Sequence, residues 1–188
     1  MTGPDRVLRA DARRNRARVL DVAAEVFATE GLTVPIDEIA RRAGVGIGTV
    51  YRHFPTKEAL FEAIVLDRVH RLAESARAAR SEPDPATAFF AFFTCVIEAG
   101  TVNKALFEAL ATGGEVDTTA LRDASGELLT SLGDLLTSAQ RAGAVRADIG
   151  VDDLKALLAG ALAMERAGSG PAGRLAAIVC DGLRPIAH

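Results

Sequence analysis

The chain has no tryptophan, one tyrosine, three histidines and two cysteines among 188 residues. With so few ring systems beyond its phenylalanines, and with alanine and leucine dominant, the composition favours helices over strands. Cys95 and Cys180 lie far apart in the sequence and lack metal-ligand spacing, so a disulfide framework or zinc site is not expected and a reducing cytoplasm fits. His53, His70 and His188 have no pairing that points to a metal or a general base, and no serine–histidine or cysteine–histidine arrangement is evident. The expectation is therefore no catalytic residues, no metal and no cofactor. Long apolar runs are also missing. The longest, 156–164, falls well short of the roughly 20 residues that span a bilayer. The charged start (Asp5, Arg6, Arg9, Asp11, Arg13, Arg14) lacks a signal peptide's apolar stretch, so a soluble, cytoplasmic protein without membrane contact is expected.

What is present is an ordinary globular composition, 49% hydrophobic and 25% charged, in a chain long enough to bury a core. The net charge of −3 argues by itself against a polyanionic partner. Its distribution does not: residues 1–57 hold ten Arg and Lys against seven Asp and Glu, whereas residues 58–188 hold twelve against eighteen. A basic end suits a polyanion, and an acidic remainder limits indiscriminate binding; an imbalance this small is equally compatible with chance.

Glycine and proline divide the chain into nine expected helices. In the first, 12–30, Leu20, Ala23, Ala24 and Phe27 recur at helical spacing before Gly31. A second, short helix follows Pro35 and ends at Gly44, and a third covers 47–54. Pro55-Thr56 opens a fourth, with Thr56 as N-cap and Glu58 at its positive end. Residues 81–85, with two prolines, read as a linker. The remaining helices are expected at 86–99, 103–111, 118–142, 151–167 and 171–183, with a loop at 112–117. No repeat or credible strand interrupts them, so the fold class is all-α.

Residues 36–54, IDEIARRAGVGIGTVYRHF, have the steric pattern of a helix-turn-helix. Ala40 is small where two helices cross, Gly44 supplies the positive φ of a tight turn, and Ile36, Ile39, Val45 and Val50 lock the helices together. Thr49, Arg52 and His53 then point outward from the second helix, as a helix entering a major groove requires. The glycines of GVGIG do not form a nucleotide loop, because no strand precedes them and no GxGxxG or GK[ST] occurs.

The stretch IARRAGVGIGTVYRHFPTKEALFEAI, with Phe27 and Gly31 before it, resembles the DNA-binding domain of the TetR family over about residues 13–64. The resemblance assigns Thr49, Tyr51 and His53 to the DNA-facing surface and Lys57 to a phosphate, with the ring of Tyr51 packed at the helix base. Gly48 permits close approach to the groove, and Arg52 could reach a base edge or a phosphate. Base readout is expected from Thr49 and Arg52, and positioning from Tyr51, His53 and Lys57. The chain departs from the family where Val34 and Pro35 replace the usual hydroxyls before the second helix, and where Gly46 replaces a serine cap. Arg13, Arg14, Arg16 and Arg18 could touch phosphates or form a solvated basic face. The implied organisation is a flexible arm at 1–12, a helix-turn-helix domain at 13–57 and a helical ligand-binding and dimerisation domain at 58–188.

The last two helices are apolar on more than one face, which points to a subunit interface or to a monomer's core. The resemblance implies a homodimer built from them, and Leu154, Leu158, Ala161, Leu162, Leu175, Ile178 and Val179 are the expected contacts. It also implies a small-molecule pocket. Phe90, Phe93, Ile97, Phe107, Leu110, Leu128 and Met164 are its candidate lining, with Glu98, Asn103 and Glu108 as polar anchors, although phenylalanines at helical spacing also suit plain core. The resulting expectation is a one-component repressor that binds a near-palindromic operator in double-stranded DNA and is released by a mostly apolar effector. The alternative is a small-molecule binding or sequestering protein whose helix-turn-helix no longer reads DNA.

Overall fold

The computed structural model describes residues 4–102, 119–166 and 173–185, and their regular structure is entirely helical. The helices are α1 (Pro4–Glu30), α2 (Ile36–Ala43), α3 (Ile47–His53), α4 (Lys57–Ala79), α5 (Pro85–Val102), α6 (Thr119–Arg141), α7 (Val151–Arg166) and α8 (Arg174–Gly182). The helix expected at 103–111 and the loop after it lie outside the described residues. Among the described residues no helix is long and apolar enough to cross a membrane.

The chain divides into two compact units, Met1–Asp67 and Arg68–His188, and the division falls inside α4 rather than after residue 57. Residues 4–12, expected as an arm, are the first turns of α1. Pro4 suits a helix's first position, and further along α1 Arg14 pairs with Asp11 and Arg18 with Asn15 (2.9 Å).

The first unit is built on one apolar cluster. Val19, Leu20, Ala23, Ala24 and Val26 of α1 meet Ile36, Ile39, Ala40 and Ala43 of α2, Val50 of α3, Phe54, and Leu60 and Ile64 of α4. Gly44 ends α2 at φ 64°, which lets its own N–H reach the carbonyl of Arg41 (3.2 Å) and the N–H of Val45 reach that of Ala40 (3.1 Å). Outside the core, Glu38 accepts hydrogen bonds from Arg41 (2.7 and 2.8 Å) and Arg42 (2.7 Å), while Arg42 also reaches Glu30 at the end of α1. This exposed cluster ties α2 to α1.

In the second unit α5 packs against α6, α7 and α8. The segment expected as a linker starts it: Asp84 accepts hydrogen bonds from the N–H groups of Ala86 (3.2 Å) and Thr87 (3.0 Å) and from the Thr87 hydroxyl (2.6 Å), with Pro85 as the first helical residue. These bonds hold the Asp84 carboxyl below its ordinary range. Phe89, Phe92, Phe93 and Ile97 of α5 are buried with Leu128, Leu132, Leu135 and Leu136 of α6, and Phe89 stacks on Phe93 at 5.8 Å. In the last turn of α6 the Gln140 amide donates to the carbonyls of Arg146 and Ile149, both at 3.0 Å, and the Arg146 N–H donates to the carbonyl of Leu183 (2.9 Å).

Hydrogen bonds from Arg41 and then Arg42 lower the Glu38 pKa from 4.5 to about 2. Because the folded-state value is depressed, the cluster's contribution to stability is complete above about pH 4.5 and is lost as pH falls toward 2. A carboxyl-carbon NMR titration should find the Glu38 midpoint near 2, and Arg42→Ala should move it upward while leaving stability at neutral pH little changed, as is usual for exposed pairs.

Candidate nucleic-acid interface

Among helices of the first unit, α3 has the least intrinsic support. It has seven residues and begins at Gly46 without a side-chain cap. Its orientation comes instead from packing. Val50, its one buried residue, is fully enclosed, and the N–H of Phe54, itself buried just beyond the helix, donates to the Val50 carbonyl at 2.8 Å. With this side fixed inward, Ile47, Gly48, Tyr51, Arg52 and His53 are exposed and Thr49 is half-buried.

The structure thus brings Gly48, Thr49, Tyr51, Arg52 and His53 onto one short helix, with Lys57 at the start of α4. Lys57 is half-buried, its ammonium 5.7 Å from the centre of the Phe27 ring. Thr56 caps α4 by accepting the N–H of Ala59 at 3.1 Å, as the sequence pattern predicts. Tyr51 is 46% exposed, so a little more than half of its surface is covered and the remainder is open on the outward side of α3. The guanidinium of Arg16 lies 5.4 Å from the centre of the Phe54 ring, so this α1 cation is placed at the base of α3. Pro35, which precedes α2, also provides no side-chain cap, and Asp37 and Glu38 occupy that helix's first turn.

Sequence reasoning passed over Ile47. It is 39% exposed and one turn before Tyr51, a placement that its i, i+4 spacing could have revealed. Glu38 and Arg42 were likewise not singled out, although their i, i+4 spacing is a readable signal.

In the second unit the expected residues differ in burial. Phe93, Ile97 and Leu128 are buried in the core, Phe90 is half-buried beneath the Arg184 guanidinium at 4.5 Å, and Met164 is 56% exposed. Phe107 and Leu110 lie outside the described residues, as do Asn103 and Glu108. An open depression of about 370 Å³ lies against Ala78, Ser81, Thr87 and Ala91, none of them an expected lining residue. Leu154, Leu158 and Ala161 are buried within the chain, so they offer little surface to a partner. Ile178 is 54% exposed, Val179 is half-buried, and the side chains of Leu162 and Leu175 lie outside the described residues. The outward apolar positions are Leu157 and Met164 on α7 and Ile178 on α8.

Residues 19–64 match the model of bacterial regulatory proteins of the tetR family, and residues 84–185, more than half of the chain, match that of the C-terminal domain of SbtR-like transcriptional regulators. The chain belongs to the TetR family. Among solved structures, this TetR-family chain is similar to a TetR transcription regulatory protein from Mycobacterium vanbaalenii, with 47% identity and a TM-score of 0.74 over 95% of this chain and 99% of the other. It is also similar to the TetR transcriptional regulator SCO0520 from Streptomyces coelicolor, with 37% identity and a TM-score of 0.73 over 92% and 99%. The HTH-type transcriptional regulator TtgW of Pseudomonas putida is 42% identical over 64 residues, 34% of this chain and 48% of TtgW. The chain thus spans about half the length of that curated relative.

Within the TetR-type unit, Gly48 gives a clean separation of folding from surface. A Cβ built there meets no atom of the chain within 4 Å. Gly48→Ala should therefore raise the unfolding temperature of the first unit, since alanine favours a helix by up to about 1 kcal/mol. If α3 approaches DNA closely, the same variant binds DNA more weakly. Thermal melts and mobility shifts on one preparation test both outcomes.

Proposed function

We propose that the chain is a DNA-binding transcriptional regulator of the one-component TetR type, which reads a near-palindromic operator with α3 as a homodimer. The observation that carries this reading is the two-sidedness of α3: Val50 is enclosed, while Arg52, His53 and Tyr51 stand open to an approaching groove. Thr49 and Arg52 are the proposed base readers, and Tyr51, His53 and Lys57 position the helix on the backbone. The exposed Leu157, Met164 and Ile178 support dimerisation through α7 and α8, and a two-fold dimer presents two copies of α3 to two half-sites. Repression, release by a small and mostly apolar effector bound in the second unit, and action in the cytoplasm complete the proposal.

Selection of bound duplexes from a random pool, followed by mobility shifts at two salt concentrations, tests the reading. A preferred near-palindromic sequence is expected, and failure to retain any duplex would overturn it. Lys57→Ala should weaken binding to all sequences alike and flatten the log–log salt dependence by roughly 0.9, the loss of one phosphate contact. Arg52→Ala should change the selected sequence; recovery of the unaltered motif would remove its reading role. Replacing both Leu157 and Ile178 by glutamate should convert a dimer to a helical monomer in analytical ultracentrifugation, whereas a persisting dimer would place the interface elsewhere.

A further inference from the structure

The polar residues of α3 do not account for its whole outward face. Ile47 leaves about two-fifths of its surface open, and Tyr51, one turn later, leaves 46% open. Between them Gly48 presents bare backbone, with open space where a side chain would stand. An exposed isoleucine gains nothing from hydration, and its β-branched side chain gives a seven-residue helix no propensity advantage over alanine. Nor is it an isolated apolar spot on a neutral surface: Arg52 and His53 follow on the same helix, and Lys57 opens the next. The positive charges of Arg52 and Lys57 in this segment complement an anionic duplex.

Base edges in a major groove offer one apolar feature, the C5 methyl group of thymine. Arginine and threonine side chains read donors and acceptors, but an aliphatic side chain can recognise that methyl by contact and exclusion of water. Such contact requires carbon atoms to come within roughly 3.5–4 Å, and the missing side chain at Gly48 removes the nearest obstacle to an approach that close.

We infer that Ile47 is a specificity-determining residue that selects thymine in each half-site by packing against its C5 methyl group. The inference rests on the proposed entry of α3 into DNA and names one chemical group that this entry would recognise.

The test uses the full chain and duplexes selected by it from the random pool. Each thymine in turn is replaced by deoxyuridine, which keeps base pairing and every hydrogen-bonding edge but removes the methyl. At one or two positions in each half-site the unmodified protein should bind the uracil duplex about fourfold more weakly, the equivalent of about 0.8 kcal/mol for a buried methyl-sized group. Ile47→Ala should bind the thymine and uracil duplexes alike, and Ile47→Val should keep part of the preference. Uracil tolerated at every position by the unmodified protein would overturn the inference without using any variant. An undiminished thymine preference in a folded Ile47→Ala protein would overturn it as well. Failure to bind any selected duplex would instead remove the underlying DNA-binding reading, so the two failures are distinguishable.

Discussion

The burial of Val50 is the constraint on which the outward face of α3 depends. A helix of seven residues is far too short to hold itself in water, because nucleation fixes several residues for few hydrogen bonds. What keeps α3 helical is attachment: Val50 enters the apolar cluster formed by α1, α2 and the start of α4, and Phe54 closes that cluster just beyond the helix. Gly44 turns the chain so that this insertion is possible, with a positive φ that L-residues adopt at a cost. Once the inner face is anchored, helical periodicity determines which residues are presented outward. The residues presented outward are thus selected by packing, not by a locally strong helix.

Electrostatics then refine this arrangement. The net charge of −3 conceals a basic first segment, but its arginines do not all have one role. Arg41 and Arg42 pair with Glu38, and Arg42 also with Glu30, so part of the positive charge brings α1 and α2 together. Arg52 and Lys57 are placed at and beside α3, where positive charge would meet a phosphate backbone. Without a side-chain cap before either α2 or α3, any anion at those helix ends would meet backbone N–H groups directly.

The first unit was legible because its constraints are local and stereochemical. The turn at Gly44, the anchors Ile39 and Val50, and the Thr56 cap each need a particular residue type at a fixed spacing. Other features lacked such a signal. The first turns of α1 carry charge without an apolar stripe and read as an arm, although they are helical from Pro4. Asp84 and Pro85 read as linker residues because a cap and a loop use the same amino acids. Between Leu154 and Met164 of α7 the only charge is Lys155, so the sequence there does not fix the helix's phase. The structure turns Leu154, Leu158 and Ala161 inward and Leu157 and Met164 outward. The phenylalanines of α5 were ambiguous for a related reason, since one spacing serves both a cavity wall and a filled core; Phe89 and Phe93 stack in the core.

The central claim is that the outward face of α3, held by the core of the first unit, meets DNA. Its most direct test is amide chemical-shift mapping during titration with a duplex recovered by selection. The account predicts that the largest changes fall on residues 47–53 and on Lys57, with the Val50 methyl groups remaining in their buried environment. Specific binding accompanied by changes confined to residues 68–188, with α3 unaffected, would contradict it.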